Sequence, residues 1–420
     1  MAVNYLLTAN FIISTVFVLC YAYQFFYLLV GTVKKASCRP ARVVPHRYAV
    51  MISARNEEAV IGKLIESIRR QKYPAELVSV FVVADNCTDR TAAVAKEAGA
   101  TVFVRQNKTR VGKGYALEFL FDQVMEQYGR AYFDGYFIFD ADNLLDENYI
   151  SEMNKTFSAG FRVITSYRNS KNYGANWISS GYALWFLREA RHLNNARMLL
   201  GTSCAVSGTG FLIHRDIINR TNGWKYFLLT EDIQFTVESI LNGERIGYCH
   251  NAILYDEQPE TFSQSWTQRL RWARGYYQVF RQYGGRLLRG IFGGRFACAD
   301  MCMTIMPAAV LTIVSFLINA AALIPTLLLH GNVLVILLSV LETLRNSYLM
   351  LFLIGLVTGI TEWRQIHASI PRKIFSFFTF PLFMLTYIPI SIVALFKKVE
   401  WKPIRHSVSL SIDHMKQPVK

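Results

Sequence analysis

The sequence predicts an α/β domain with a doubly wound sheet, inserted between one N-terminal and about three C-terminal transmembrane helices, with amphipathic interface helices between. Three observations carry this. Short strands alternate with helices of ten to fifteen residues from about residue 45 to 275, which indicates a parallel, doubly wound sheet. Uncharged apolar stretches long enough to cross a bilayer, which takes ~20 residues of helix, bracket that region. The composition agrees: over 420 residues, 52% are hydrophobic and only 18% charged, with a mean hydropathy of +0.22. Disorder and coiled coil are excluded, since both need more charge and fewer aromatic residues. The mixed middle region excludes a wholly membrane-buried transporter.

In order, residues 1–33 form an N-terminal transmembrane helix, with an apolar run from Tyr5 to about Val33. That run lacks a basic start and is too long for a cleaved signal, so it reads as a permanent anchor. A basic stretch from Lys34 to Arg47 follows and places this end of the span in the cytoplasm. The soluble domain, 45–260, opens with strand Tyr48–Ser53, a helix over Glu57–Gln71, strand Val78–Ala84, a helix near Thr88–Ala98 and strand Thr101–Val104. A fourth strand, Tyr136–Phe139, runs into Asp140-Ala141-Asp142. Ligands of such sheets sit beyond the carboxyl ends of the strands, which is where Asp85 and Asp140 fall.

Residues 261–300 are amphipathic and basic. Transmembrane helices fill 301–396, with candidate spans Met301–Leu329, Val333–Ile360 and Ile374–Phe396, and a basic tail covers 397–420. Four crossings put both termini outside, yet positive charge in the tail favours the inside. Val333–Ile360, interrupted by Glu342 and Arg345, is the segment suspected of not crossing fully; the pair either lines a channel or satisfies itself. The net charge of +15 clusters beside apolar spans, so it marks membrane flanks and not nucleic-acid binding. Seven scattered cysteines, with no C-x-x-C pair, indicate reduced thiols and neither a zinc site nor a disulfide framework. The expected location is a bacterial-type plasma membrane, multi-pass, with the catalytic domain cytoplasmic.

Four motifs carry chemistry. Asp85, directly after a strand, can accept the N–H of a uracil ring, while capping by Thr88 or Asp89 accounts for the rest of its run. Asp140 and Asp142, one residue apart at a strand end, can hold Mg²⁺ or Mn²⁺, which clamps a diphosphate and neutralises the charge that builds as it leaves; the tripeptide is also common in loops. Thr230-Glu231-Asp232 opens a helix. It is either a cap with acids in the first turn or the site of a general base that takes the acceptor hydroxyl proton. A single carboxylate suffices for one in-line displacement at the sugar C1, which inverts an α-linked donor to a β product. In Gln268-Arg269-Leu270-Arg271-Trp272-Ala273-Arg274-Gly275, an Arg can grip diphosphate oxygens and an indole can stack on a sugar. The other reading is an interfacial anchor.

In this order, and followed by membrane spans, the motifs resemble the family 2 processive glycosyltransferases: bacterial cellulose synthases and the hyaluronan, chitin and poly-N-acetylglucosamine synthases. The resemblance covers about residues 45–300 in motifs and the whole chain in layout. It implies a GT-A-type mixed sheet, a UDP-sugar donor, Mg²⁺ or Mn²⁺, a growing polysaccharide and a lipid bilayer as partners, and no nucleic acid. It also implies roles. Ala54 and Glu57 would contact the uridine, Asp85 the uracil, Lys113 of Gly112-Lys113-Gly114 and Asp140 the nucleotide, and Asp142 the metal. Asp232 would be the base with Glu231 supporting it, and Gln268, Arg271 and Trp272 would bind diphosphate and acceptor. Ser207-Gly208-Thr209-Gly210 lies where the family carries an acceptor motif but departs from its wording. Trp401 and His406, after the last span, stand where a gating segment would fold over the donor; a basic interfacial tail is the alternative. The expected activity is processive, inverting polymerisation of glucose from UDP-glucose into a β-glucan, cellulose-like or mixed-linkage 1,3;1,4, and its export. Another β-linked polysaccharide, or a non-processive lipid-linked sugar transferase, is the alternative.

Overall fold

The computed structural model describes residues 2–38, 40–306, 314–315, 317–319, 321, 333–401, 406 and 408–416. The strands are β1 (Tyr48–Ala54), β2 (Val78–Asp85), β3 (Thr101–Arg105), β4 (Gly135–Asp140), β5 (Leu144–Leu145), β6 (Val163–Ser170), β7 (Phe211–His214) and β8 (Ile246–Asp256). They form one sheet in the order β3-β2-β1-β4-β7-β6-β8-β5. The first four are mutually parallel. β7 runs antiparallel to β4 and β6, and β5 antiparallel to β8. The sheet is therefore mixed, as the resemblance implies; the strand–helix alternation gives the parallel strands β1 to β4, and β6 and β8 are parallel to each other.

β1 is buried along nearly its whole length, as Tyr-Ala-Val-Met-Ile demands of a strand covered on both faces. One face is covered by α2 (Ile61–Arg69), α3 (Thr91–Glu97) and α5 (Tyr149–Ser158). The other packs on α4 (Lys113–Tyr128), α6 (Trp177–Arg188), α9 (Glu231–Leu241) and α10 (Phe262–Phe292); between α6 and α9 lie α7 (Asn195–Leu199) and α8 (Arg215–Arg220). Two helices start later than the periodicity suggests. Asn56 takes a left-handed φ of 57°, a conformation Asn tolerates, and a turn in which the Glu57 carbonyl accepts the Val60 and Ile61 N–H groups at 3.1 and 3.0 Å precedes α2. The Asp89 carboxylate accepts the Thr91 N–H at 3.0 Å, so α3 starts at Thr91.

Three helical stretches are long and apolar enough to cross a membrane among the described residues: Thr8–Val33, Ile336–Thr361 and Ile370–Phe396. The first belongs to α1 (Ala2–Val33). After α11 (Phe296–Ile305), the second belongs to α12 (Val333–Thr361), and the third is a broken helix, α13 (Ile370–Leu385) and α14 (Tyr387–Phe396), jointed at Thr386. Most of the expected Met301–Leu329 span lies outside the described residues. Glu342 and Arg345 are exposed and pair with each other at 3.2 Å, which is the self-satisfied arrangement.

α6 runs into a π-helical stretch, Glu189–Asn194, of the kind that re-aims side chains at functional sites. It joins the soluble domain to the membrane helices. Arg191 meets Glu362 at 3.2 Å, and His192 Nε2 lies 3.1 Å from Thr361 Oγ1, both at the end of α12. Just beyond, Arg197 donates two hydrogen bonds to Asp300 of α11, which also accepts from the Tyr23 and Tyr27 hydroxyls of α1.

Candidate active site

A single cavity of about 560 Å³ is lined by Ala54, Glu57, Asp85, Lys113, Asp140, Asp142, Glu231, Asp232, Gln268, Arg271, Trp272, Trp401 and His406. These are all the residues to which the resemblance gives a donor, metal, base, acceptor or gating role. The sheet accounts for the first group, because Ala54, Asp85 and Asp140 end three adjacent parallel strands. Asp85 is buried and paired with Arg105, the last residue of β3, at 2.5 Å. Lys113 begins α4. Its ammonium bonds Asp140 and donates to the Gly208 carbonyl at 2.7 Å, with Glu231 3.8 Å away. Both flanking glycines are forced. Gly112 has φ +135°, and a Cβ on Gly114 would lie 2.1 Å from the Tyr226 carbonyl oxygen.

Thr230-Glu231-Asp232 meets the Arg-Trp helix directly. The Thr230 side chain does not cap α9, contrary to the capping reading; it packs instead against Gly275, where a Cβ would come within 2.5 Å of it. Arg271 donates to the Leu229 carbonyl at 3.2 Å. Asp232 accepts the Gly208 N–H at 2.6 Å. The Ser207–Gly210 loop thus touches both Lys113 and Asp232, and the Thr209 hydroxyl accepts the Asp140 N–H at 2.9 Å. Trp272 stands edge-on to Tyr182 and Phe186, ring centroids 5.7 and 6.2 Å apart.

Several lining residues were not picked out beforehand. Arg168 and Asp256, bonded at 2.6 Å through Nε, stand near the ends of β6 and β8. Glu189, from the π-helical stretch, accepts from the Ser207 hydroxyl at 3.3 Å. Glu257 follows β8, and its N–H donates to Asp142 at 2.8 Å. The β-branched and aromatic runs Val163–Tyr167 and Ala252–Tyr255 signal these strands, and strand-end Asp256 is the same kind of signal as Asp85 and Asp140.

The charges are strongly coupled. Burial raises the carboxyls of both Glu231 and Asp232, with Lys113 and Arg271 pulling the other way. Burial also pushes Glu57 up to about 7 and Asp256 up to about 6, against the pull of His406 and Arg168 respectively. His406 reaches back to Glu57 at 2.9 Å. Burial disfavours its charge, but Asp142 and Glu57 outweigh that and lift it to about 10. Asp142 is held below the usual carboxylate range, since His406 and Lys171 outweigh its burial. The Trp401 ring lies 5.4 Å from the Arg55 guanidinium. Residues 402–405, between Trp401 and His406, lie outside the described ones.

Among the described residues, no three His, Cys, Asp or Glu side chains form a metal cluster. Asp140 and Asp142 nevertheless fit a divalent cation of the kind bound through one or two carboxylates and completed by substrate phosphates. They line one cavity, and Asp142 is held in its ionised form.

Residues 45–275, just over half the chain, match the family described as "Glycosyltransferase like family 2". The chain is 27% identical over 250 residues to a beta-monoglucosyldiacylglycerol synthase of Synechocystis sp., covering 58% of this chain and 50% of that protein. It is 25% identical over 243 residues to a poly-beta-1,6-N-acetyl-D-glucosamine synthase of Staphylococcus aureus, covering 54% of each. It spans about half the length of these curated relatives. In fold it resembles the mannosyltransferase PcManGT of Pyrobaculum calidifontis, solved with GDP-Man and Mn²⁺, with a TM-score of 0.57 at 15% identity, covering 92% of this chain and 99% of that one. The chain belongs to the family described as glycosyltransferase like family 2, and its domain has a GT-A-like mixed sheet.

Proposed function

We propose that this enzyme transfers a hexosyl group, with inversion, from a UDP-sugar to a hydroxyl of a membrane lipid. The observation that carries this is the far wall of the cavity. Beyond the acids, the same space continues between Phe17, Phe25 and Leu28 of α1 and Met350, Leu351 and Ile354 of α12. An acyl chain gains about 0.8 kcal/mol per buried CH₂ along such a wall. Each sugar hydroxyl left without a partner there costs about 1–3 kcal/mol. That contrast favours a lipid over an emerging glycan, and it reverses the order in which the sequence alone ranked the two.

In this reading Asp85 and Glu57 hold the uridine, with Lys113 and Arg271 beside the diphosphate. Asp140 and Asp142 would hold a divalent cation, which when bound supplies positive charge to the leaving diphosphate. Asp232 takes the proton of the accepting hydroxyl as its oxygen bonds to the sugar C1. The C1–O bond to the diphosphate breaks, UDP departs with the electron pair, and an α-linked donor gives a β product. Burial of Asp232 raises its affinity for that proton. The soluble domain then faces the compartment that holds UDP-sugars, the cytoplasm, on a bacterial-type plasma membrane.

The edge-on aromatic group of Trp272, Tyr182 and Phe186 favours a second reading. It offers a surface for the terminal sugar of a growing chain, as processive synthesis of a β-glucan from UDP-glucose requires. One experiment separates them. Purified protein in lipid is given labelled UDP-glucose, UDP-GlcNAc or UDP-GlcA, and the product is partitioned into organic solvent and sized. A mono-glycosylated lipid supports the proposal, and a water-soluble or insoluble polymer overturns it.

A further inference from the structure

Three arginines lie on the stretch that joins α6 to the membrane helices, and two of them are neutralised. Arg191 meets Glu362, and Arg197 meets Asp300. Arg188 differs. It lines the cavity, yet no carboxylate lies within 4 Å of it among the described residues, which include every Asp and Glu of the chain. Its one hydrogen bond among them runs from Nη2 to the Gln24 side-chain oxygen of α1, at 2.6 Å. The guanidinium carbon lies 5.2 Å from the Trp185 ring centroid. Gln24 and Trp185 thus hold the fork in place without cancelling its charge. The guanidinium is half-buried on the cavity wall with no acid in contact, and burial pulls its pKa down to about 10 against the pull of Tyr23 and Glu189.

The position of this charge is informative. The next residue, Glu189, bonds Ser207, and the residue after Ser207 donates to Asp232. On the other side, Tyr21, Phe25 and Leu28 line the cavity on the same helix as Gln24, at helical spacing. Arg188 therefore stands between the proton-accepting carboxylate and the apolar wall, the place of a lipid headgroup whose tails lie along α1. A planar guanidinium with open N–H donors there matches the oxygens of a phosphate or another oxyanion.

We propose that the acceptor is an anionic lipid, whose headgroup oxyanion pairs with Arg188 while a hydroxyl of the same headgroup is glycosylated. This rests on the lipid-acceptor reading above and narrows it. The hydroxyl oxygen forms the new bond to C1, its proton passes to Asp232, UDP leaves with the electron pair, and the lipid's own phosphate is unchanged.

The test uses the full chain in nanodiscs, with the donor that gives most product. It compares dioleoylphosphatidylglycerol, which carries a phosphate and a free hydroxyl, with dioleoylglycerol, which has the hydroxyl alone. Wild-type protein is expected to label the phosphatidylglycerol at least about tenfold faster, a ratio that needs no variant to fold. Arg188→Gln should lower that ratio by about 10- to 100-fold, the range of one charge-assisted contact, and Arg188→Lys should recover part of it. Equal labelling of the two lipids by wild type, or an unchanged ratio in Arg188→Gln, overturns the anionic-acceptor proposal and leaves lipid glycosylation standing. Polymer with no labelled lipid overturns both.

Discussion

Asp300 is where the membrane helices grip the catalytic domain, and its replacement by Asn tests that grip. Its carboxylate accepts four hydrogen bonds: from Arg197 Nε at 2.7 Å and Nη2 at 2.8 Å, and from the Tyr23 and Tyr27 hydroxyls at 3.0 Å each. Both charged side chains are almost completely buried. Asn keeps the shape but turns one acceptor oxygen into an amide donor, which faces another donor, and it leaves Arg197 a buried charge without its counterion. Breaking a buried pair from one side costs about 3–5 kcal/mol. Unfolding in detergent, followed by tryptophan fluorescence, should show a loss of that size for Asp300→Asn. The double variant Arg197→Met with Asp300→Leu should recover most of it, because no lone charge remains. A loss under ~1 kcal/mol in Asp300→Asn would mean that water reaches the pair and that α1 is not fixed through it.

Asp232→Asn should lower turnover by ~10²–10⁴, the usual contribution of a positioned base, while UDP binding measured by calorimetry persists. Because burial raises the Asp232 carboxyl, the acidic limb of the pH–rate profile should lie above the ordinary carboxylate range, activity falling as pH drops through it; a limb at pH 4 would refute this. Gly114→Ala places a Cβ 2.1 Å from a backbone oxygen, so a destabilisation of about 1–3 kcal/mol with a raised donor KM is expected. His192 is buried and neutral, its pKa lowered to about 3, chiefly by burial with help from Arg188 and Arg191. The unfolded chain therefore takes up a proton below about pH 6.5 that the folded one refuses. Relative to His192→Gln, wild type should lose up to ~1.4 kcal/mol per pH unit between pH 6.5 and 5, read from unfolding titrations of both proteins.

The cavity acids were legible because they combine two local signals: an acid directly after a hydrophobic strand, and a spacing that suits a cation or a base. Asp85, Asp140 and Asp142 needed nothing more. Asp256 carries the same strand-end signal and Arg168 pairs with it, but their strands follow long helical and loop segments and pair across the sheet with partners far away in sequence. Periodicity reports faces and not partners, so the antiparallel insertion of β7 was invisible. Glu189 opens a π-helical turn that begins directly after Arg188, the last residue of α6, where a helix of regular pitch predicts other facings. The acceptor wall has no motif at all. It arises because α1 and α12, more than 300 residues apart in the chain, converge on one cavity.

The Arg-Trp segment has two competing readings, a substrate grip or a membrane anchor, and α10 divides its side chains between the cavity and the broken apolar span. Gln268, Arg271 and Trp272 face the cavity. Arg269, fully buried between them, donates to the Phe383 carbonyl at 2.9 Å and to the Thr386 hydroxyl at 2.6 Å. This is where α13 ends, and it sits 4.3 Å from the Phe383 ring. Arg274 donates to the Ala394 and Leu395 carbonyls at the end of α14. Both helix ends of the broken span, which carry unpaired carbonyls and partial negative charge, are thus held by cations from the helix that lines the cavity. Leu270 and Ala273 fill the gap against Ile390 and Ala394. A shift of the broken span therefore moves Arg271 and Trp272 with it, so the packing of that span and the shape of the cavity are set by one element.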